Sequence, residues 1–124
     1  DPFEKGARAA LNLGHTIGHG IEKATDFAVR HGEAVAIGTV LEAQLAEALG
    51  LAQPGLAQRL AAHFAQVGLP VTMPTGIDLT AVRAAMALDK KRADGEIRFA
   101  LPAAIGDVRT GIAVDEAILE KILM

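Results

Sequence analysis

Apolar positions recur at helical spacing over most of the chain, and polar or glycine interruptions divide it into five helical patterns and one stretch of alternation. From about Glu4 to Ala24 the period is helical, with Leu11, Ile17 and Ile21 as core positions. Thr25-Asp26 offers a reversal, and His31 opens a long run that ends at Gly50 as a glycine stop. Val35, Ile37, Val40, Leu41, Leu45 and Leu49 are apolar nearly all round that run, which predicts a central helix with Glu42 and Glu47 on its wetter edge. Gln53-Pro54 opens a third helix through Val67, with Leu56, Leu60, Phe64 and Val67 on one stripe and Gly68 as the stop. Leu69 to Gly76 reads as a loop. Asp78 then caps a fourth helix from Leu79 to about Leu88, followed by a cationic turn, DKKRADG. Glu96 to Pro102 alternates as a strand, and Asp107 to Ile112 can be its partner across Ala104-Ile105-Gly106. A closing helix, started by Asp115 and Glu116, spans Val114 to Leu123. The expected fold is mainly α, with one small β-hairpin packed against the helices because two short strands are marginal alone.

Composition sharpens this picture. At 124 residues the chain suits one domain, and its 51% hydrophobic content includes four Phe but no Trp or Tyr. An Ala/Leu/Ile/Val core favours closely packed helices. The net charge of −3 gives no electrostatic case for nucleic acid or an anionic membrane. With no cysteine there is neither a disulfide nor a thiolate metal site. No apolar run approaches the roughly 18–20 residues of a membrane span. The opening Asp1-Pro2-Phe3, without an initiator Met, suggests a fragment.

Three of the four histidines fall between Arg8 and Glu33. On a single helix, Arg8, Asn12, His15 and His19 would project from one face, a cation, an amide and two imidazoles in a row. Gly14 and Gly18 lie in the same stretch, and glycine inside a helix costs about 0.8–1 kcal/mol against alanine, so close approach of a helix or a ligand is expected there. His31 follows sixteen residues after His15, where a reversal could return it to the first helix. His15-x-x-x-His19 has the spacing of a zinc pair. The zinc-protease form needs Glu directly after the first His, and Thr16 occupies that position, so the protease reading fails. A three-histidine site of His15, His19 and His31 remains formally open, against the bland alternative that the rings line a helix interface. His63 lies off its helix stripe and reads as a surface residue. Lys90, Lys91 and Arg92 could bind phosphate, although alone they read as a solvated charged turn. Gly18-His19-Gly20 lacks the third glycine of a dinucleotide fingerprint and follows no strand.

Taken together, these residues resemble the 3-dehydroquinate synthase family, specifically its C-terminal domain. The matching text is E-x-G-x-R-x-x-L-N-x-G-H-T-x-G-H from Glu4 to His19 and H-G-E-A-V-A-I-G from His31 to Gly38, then L-D-K-K at Leu88 to Lys91 and I-R-F-A-L-P-A-A-I-G at Ile97 to Gly106. The resemblance implies the helical C-terminal domain of that fold over residues 1–124, a zinc- and substrate-binding half whose partner is an N-terminal NAD-binding domain of the same enzyme. It implies a cytoplasmic homodimer of the shikimate pathway, in aromatic amino acid and chorismate biosynthesis. Its substrate would be a sugar acid phosphate, 3-deoxy-D-arabino-heptulosonate 7-phosphate, converted to 3-dehydroquinate and phosphate through transient oxidation, elimination, reduction and an intramolecular aldol closure.

By the same resemblance His15 and His31 are zinc (or cobalt) ligands, completed by a Glu of the other domain, and His19 contacts the substrate phosphate and relays protons. Arg8 matches an arginine that pairs the substrate carboxylate, which suits its planar fork. Asn12 matches a residue that bonds substrate hydroxyls. Lys91 is the expected phosphate contact, with Lys90 the alternative, and no residue of this chain is assigned to NAD. Glu33 is our own expectation for the partner that orients His31. The near rival is another sugar phosphate cyclase, of the deoxy-inosose or valiolone synthase type, against which Arg8 argues because those substrates lack a carboxylate. The rival from another class is a non-catalytic helical interaction module.

Overall fold

A computed structural model describes residues 13–92 and 98–123. In chain order the described elements are α1 (His15–Ala24), α2 (His31–Ala48), α3 (Leu56–Gln66), α4 (Leu79–Arg92), β1 (Arg98–Ala104), β2 (Asp107–Ala113) and α5 (Glu116–Leu123). The fold is mainly α with one antiparallel hairpin, as the periodicity predicts. No helix among the described residues is long and apolar enough to cross a membrane.

α2 is central because it is apolar nearly all round. It packs against α1, α3, β1 and α5, and α4 closes over the other side of α1. Ile17, Ile21, Ile37, Leu45, Val82, Met86, Phe99 and Leu101 form the heart of the core. Burying each such side chain is worth about 1.5–3 kcal/mol.

α1 and α2 touch backbone to backbone, which accounts for the glycines. A Cβ on Gly18 would meet the Ala34 carbonyl oxygen at 3.1 Å, and one on Gly38 would strike the Gly14 carbonyl oxygen and lie 2.9 Å from Gly18 N. Pairing 14 with 38 and 18 with 34 makes the two helices antiparallel. On the opposite side, a Cβ on Gly20 would meet Val82 of α4 at 3.0 Å. The approach expected at Gly14 and Gly18 is therefore that of another helix.

Several boundaries depart from the sequence expectation. Gly14 adopts a left-handed backbone (φ 80°) as the N-cap of α1, so no continuous helix runs from Glu4 to Ala24. Of the expected stripe, His15 and His19 share α1, while Arg8 and Asn12, with Leu11, lie outside the described residues. α4 runs on to Arg92, so Lys90 and Lys91 occupy its last turn rather than a cationic turn after it, and their side chains lie outside the described part. Lysine and arginine are good helix formers and favour the negative C-terminal end of the dipole, which explains the extension. Val67 is exposed rather than part of the α3 stripe, because the helix ends one residue before it. Glu42 is not at a wetter edge but fully buried.

The stops at Gly50 and Gly68 are as expected. Each follows its helix in the left-handed region and donates its N–H back to the last turn, Gly50 to Glu47 O and Gly68 to Ala65 O. α1 ends the same way with Asp26 (φ 52°) in place of glycine, and Phe27 beside it is also left-handed (φ 61°). Asp78 and Asp115 cap α4 and α5 through their Oδ1 atoms. In the hairpin, Phe99 to Pro102 are all buried rather than alternating, since β1 lies against α2. Register irregularities fall between Phe99 and Leu101 and between Pro102 and Ala104.

Candidate functional site

The tight reversal at Thr25 to Phe27 returns the chain so that His31, first residue of α2, lies beside α1. The His15 and His31 rings are 5.2 Å apart between centroids, tilted by 54°. Each is anchored through one nitrogen. His15 Nδ1 lies 3.1 Å from the Leu13 carbonyl oxygen, which can only accept, so Nδ1 is the nitrogen that carries the proton. His31 Nδ1 lies 2.9 Å from Glu22 Oε1. With both Nδ1 atoms engaged as donors, Nε2 is left on each ring as the atom that can take a metal or a substrate proton.

Glu22 was not singled out in the sequence. Its spacing could have shown it, because residue 22 is two helical turns from His15 and shares its face. Glu22 is buried, whereas His31 is largely exposed, so the carboxylate is held by the core and the imidazole is held by the carboxylate. The expectation for Glu33 is corrected: its Oε1 accepts the Arg30 backbone N–H at 3.3 Å, capping the first turn of its own helix. His19 lies on exposed α1 surface four residues from His15, and His63 is exposed on α3.

A second carboxyl stands behind the site. Glycine at the N-cap of α1 has no side chain with which to cap, and Glu42 of α2 supplies the acceptor instead: Gly14 N–H donates to Glu42 Oε1 at 2.8 Å. The other oxygen, Oε2, is buried without a hydrogen-bond partner among the described residues. Burial pushes the Glu42 carboxyl up to about 8 from 4.5, offset in part by the Gly14 and Ile17 backbone N–H groups. The folded protein thus holds this proton more tightly than the unfolded chain does. Its contribution to stability is fully present below pH 4.5 and is lost as the pH rises toward about 8. Glu42→Gln should flatten that decline. Urea denaturation at acid and mildly alkaline pH, compared between the two proteins, should show a difference on the order of a few kcal/mol.

His15 and His31 bring together two imidazoles, a ligand type that zinc takes. Among the described residues no group of three His, Cys, Asp or Glu is placed to hold a metal, so the three-histidine arrangement with His19 is not assembled.

Comparison with known proteins fits this architecture. Residues 1–92 match the family model described as 3-dehydroquinate synthase C-terminal. A 3-dehydroquinate synthase of Synechococcus sp. is 46% identical over 124 residues, covering 99% of this chain and 34% of that protein. That of Nostoc punctiforme is 44% identical with the same coverage. The chain thus spans about a third of the length of these relatives. Among solved structures, a 2-deoxy-scyllo-inosose synthase complexed with carbaglucose-6-phosphate, NAD+ and Co2+ superposes with a TM-score of 0.79 at 22% identity, over 90% of this chain and 32% of that one. A 2-epi-5-epi-valiolone synthase from Streptomyces hygroscopicus subsp. jinggangensis 5008, with NAD+ and Zn2+ bound, gives 0.77 at 31% identity, over 90% and 31%. With 92 of its 124 residues matched by the family model, the chain belongs to the 3-dehydroquinate synthase C-terminal family.

Proposed function

We propose that this chain is the metal- and substrate-binding part of a 3-dehydroquinate synthase, acting on 3-deoxy-D-arabino-heptulosonate 7-phosphate together with an N-terminal NAD-binding domain. The observation that carries the reading is the pair of imidazoles 5.2 Å apart, each with Nδ1 held from behind. Holding both rings in advance removes rotamer freedom that metal binding would otherwise have to overcome, and it leaves the same nitrogen of each ring for the ion. Two histidines with a carboxylate from the other domain and one open position suit a catalytic zinc. When bound, zinc supplies a Lewis acid toward substrate oxygens, and NAD supplies a transient hydride acceptor.

The remaining roles belong to this chain's side chains. Arg8 pairs the substrate carboxylate and Asn12 bonds its hydroxyls. Lys91, with Lys90 as the alternative, meets the phosphate, and His19 contacts it as well and helps relay protons. Support comes from the relatives at 44–46% identity and from the agreement of these residue types with the charge of an acid phosphate.

Arg8 separates this reading from that of a cyclase whose substrate lacks a carboxylate. In the full-length protein, Arg8→Ala should weaken a carboxylate-bearing substrate analogue about 100-fold and its decarboxylated counterpart no more than about threefold, as expected for losing one charge-assisted bidentate pair. Isothermal titration of the two analogues makes the comparison. Equal losses for both would show that Arg8 serves the fold and not the carboxylate.

A further inference from the structure

We propose that Glu42 is a positioning residue for His15, acting through the Leu13–Gly14 peptide plane. The Gly14 N–H that donates to Glu42 Oε1 and the Leu13 carbonyl oxygen that accepts from His15 Nδ1 are opposite edges of one amide. That unit is planar, so fixing one edge fixes the other. The carboxyl is fully buried on the central helix, the peptide is held against it, and the imidazole is held against the peptide. Polarisation runs in the same direction, because an N–H bonded to a carboxyl makes its own carbonyl a better acceptor.

The surroundings are built to let this peptide approach. A Cβ on Gly14 would lie 2.6 Å from the Val35 carbonyl oxygen and would strike Thr39 Oγ1, and the left-handed φ also requires glycine. Thr39 Oγ1 is itself committed to Val35 O at 2.7 Å, so it does not compete for the peptide. The two histidines then have matched supports: His31 rests on Glu22 directly, and His15 rests on Glu42 at a remove of one amide.

Glu42 differs from the other capping carboxylate of α2. Glu47, one and a half turns further along α2, performs the same service for α3: its Oε1 accepts from Gly55 N–H and its Oε2 from Ala57 N–H, both at 2.9 Å. There both oxygens are used. At Glu42 the Gly14 N–H bonds Oε1, while Oε2 is buried with no hydrogen-bond partner among the described residues, a cost when no other contact offsets it.

The inference rests on His15 being a metal ligand only for its consequence, so its test has a metal-free arm. In full-length protein, cobalt(II) affinity is read from the visible absorption of the bound ion. The Nδ1–H resonance of His15 is read by nitrogen–proton correlation NMR without metal. Native protein, Glu42→Gln, Glu42→Asp, Glu42→Leu and the control Glu47→Leu are compared. Gln keeps the acceptor at full reach and should bind cobalt within about threefold of native, with the His15 Nδ1–H signal intact, whereas Asp and Leu should lose about 10–100-fold in affinity, the range for removing an outer partner, and lose the signal. Glu47→Leu should lower the melting temperature and change neither readout. Loss in Glu42→Gln, native behaviour in Glu42→Asp, or an equal loss in Glu47→Leu would each overturn the proposal. If Glu42→Leu does not fold, the Gln and Asp pair decides by the same criteria. If native protein binds no cobalt, or His15→Ala binds it equally well, the metal reading fails and the His15 Nδ1–H signal alone judges the role of Glu42.

Discussion

Alanine at Gly38 is expected to be among the most damaging single substitutions in the chain. The new methyl group would strike the Gly14 carbonyl oxygen and sit 2.9 Å from Gly18 N. Both obstacles are backbone, so no rotamer change relieves the contact and α1 must move away from α2. Overpacking ordinarily costs about 1–3 kcal/mol and more where nothing can yield, so a loss of roughly 4 kcal/mol is expected here. Against a total of about 5–15 kcal/mol, that should lower the melting temperature by roughly 15–30 °C. The same shift would separate Gly14 from Glu42 and His15 from His31. Gly32→Ala is the control: a Cβ there meets nothing within 4 Å, so it should be neutral or stabilise by up to about 1 kcal/mol. Thermal unfolding of the two variants gives the comparison, and equal melting temperatures would contradict the close packing described for α1 and α2.

The second large effect concerns activity and is all or none. In the proposed division of labour, NAD and one zinc carboxylate belong to a domain that this chain does not match, and the chain covers 34% of its Synechococcus relative. Given added NAD and zinc, the chain by itself should release no phosphate from 3-deoxy-D-arabino-heptulosonate 7-phosphate. Mixing it with a separately expressed N-terminal domain of a 3-dehydroquinate synthase should restore turnover. Phosphate release by the chain alone would show that the chemistry is complete within these residues.

Much of this architecture was legible in the sequence, and the exceptions have physical reasons. Helix ends marked by Gly50, Gly68, Asp78 and Asp115 were readable because each supplies a backbone conformation or a capping oxygen that the helix itself lacks. Gly14 was read as a costly helix interior, when its left-handed backbone makes it the start of α1. Periodicity cannot distinguish the two, because an N-cap glycine leaves the spacing of Ile17 and Ile21 unchanged. The reversal that brings His31 beside α1 followed from the Thr25-Asp26 signal. The identity of its partner did not: Glu33 is nearer in sequence, but at the third position of α2 it caps its own helix, while Glu22 faces His31 across the turn. Glu42 was misplaced because charge argues for solvent, and only the helix packed over it shows that its carboxyl serves a neighbour's N-terminus. A single acid within an otherwise apolar surface of a central helix was the available signal.

The most direct test of the paired-imidazole account is metal content in full-length protein carrying single substitutions. Zinc per protein, measured by atomic emission after exhaustive dialysis, should fall to background in His15→Ala and in His31→Ala, and should stay near that of the native protein in His19→Ala. Loss of zinc in His19→Ala, with retention in either of the other two, would contradict the account.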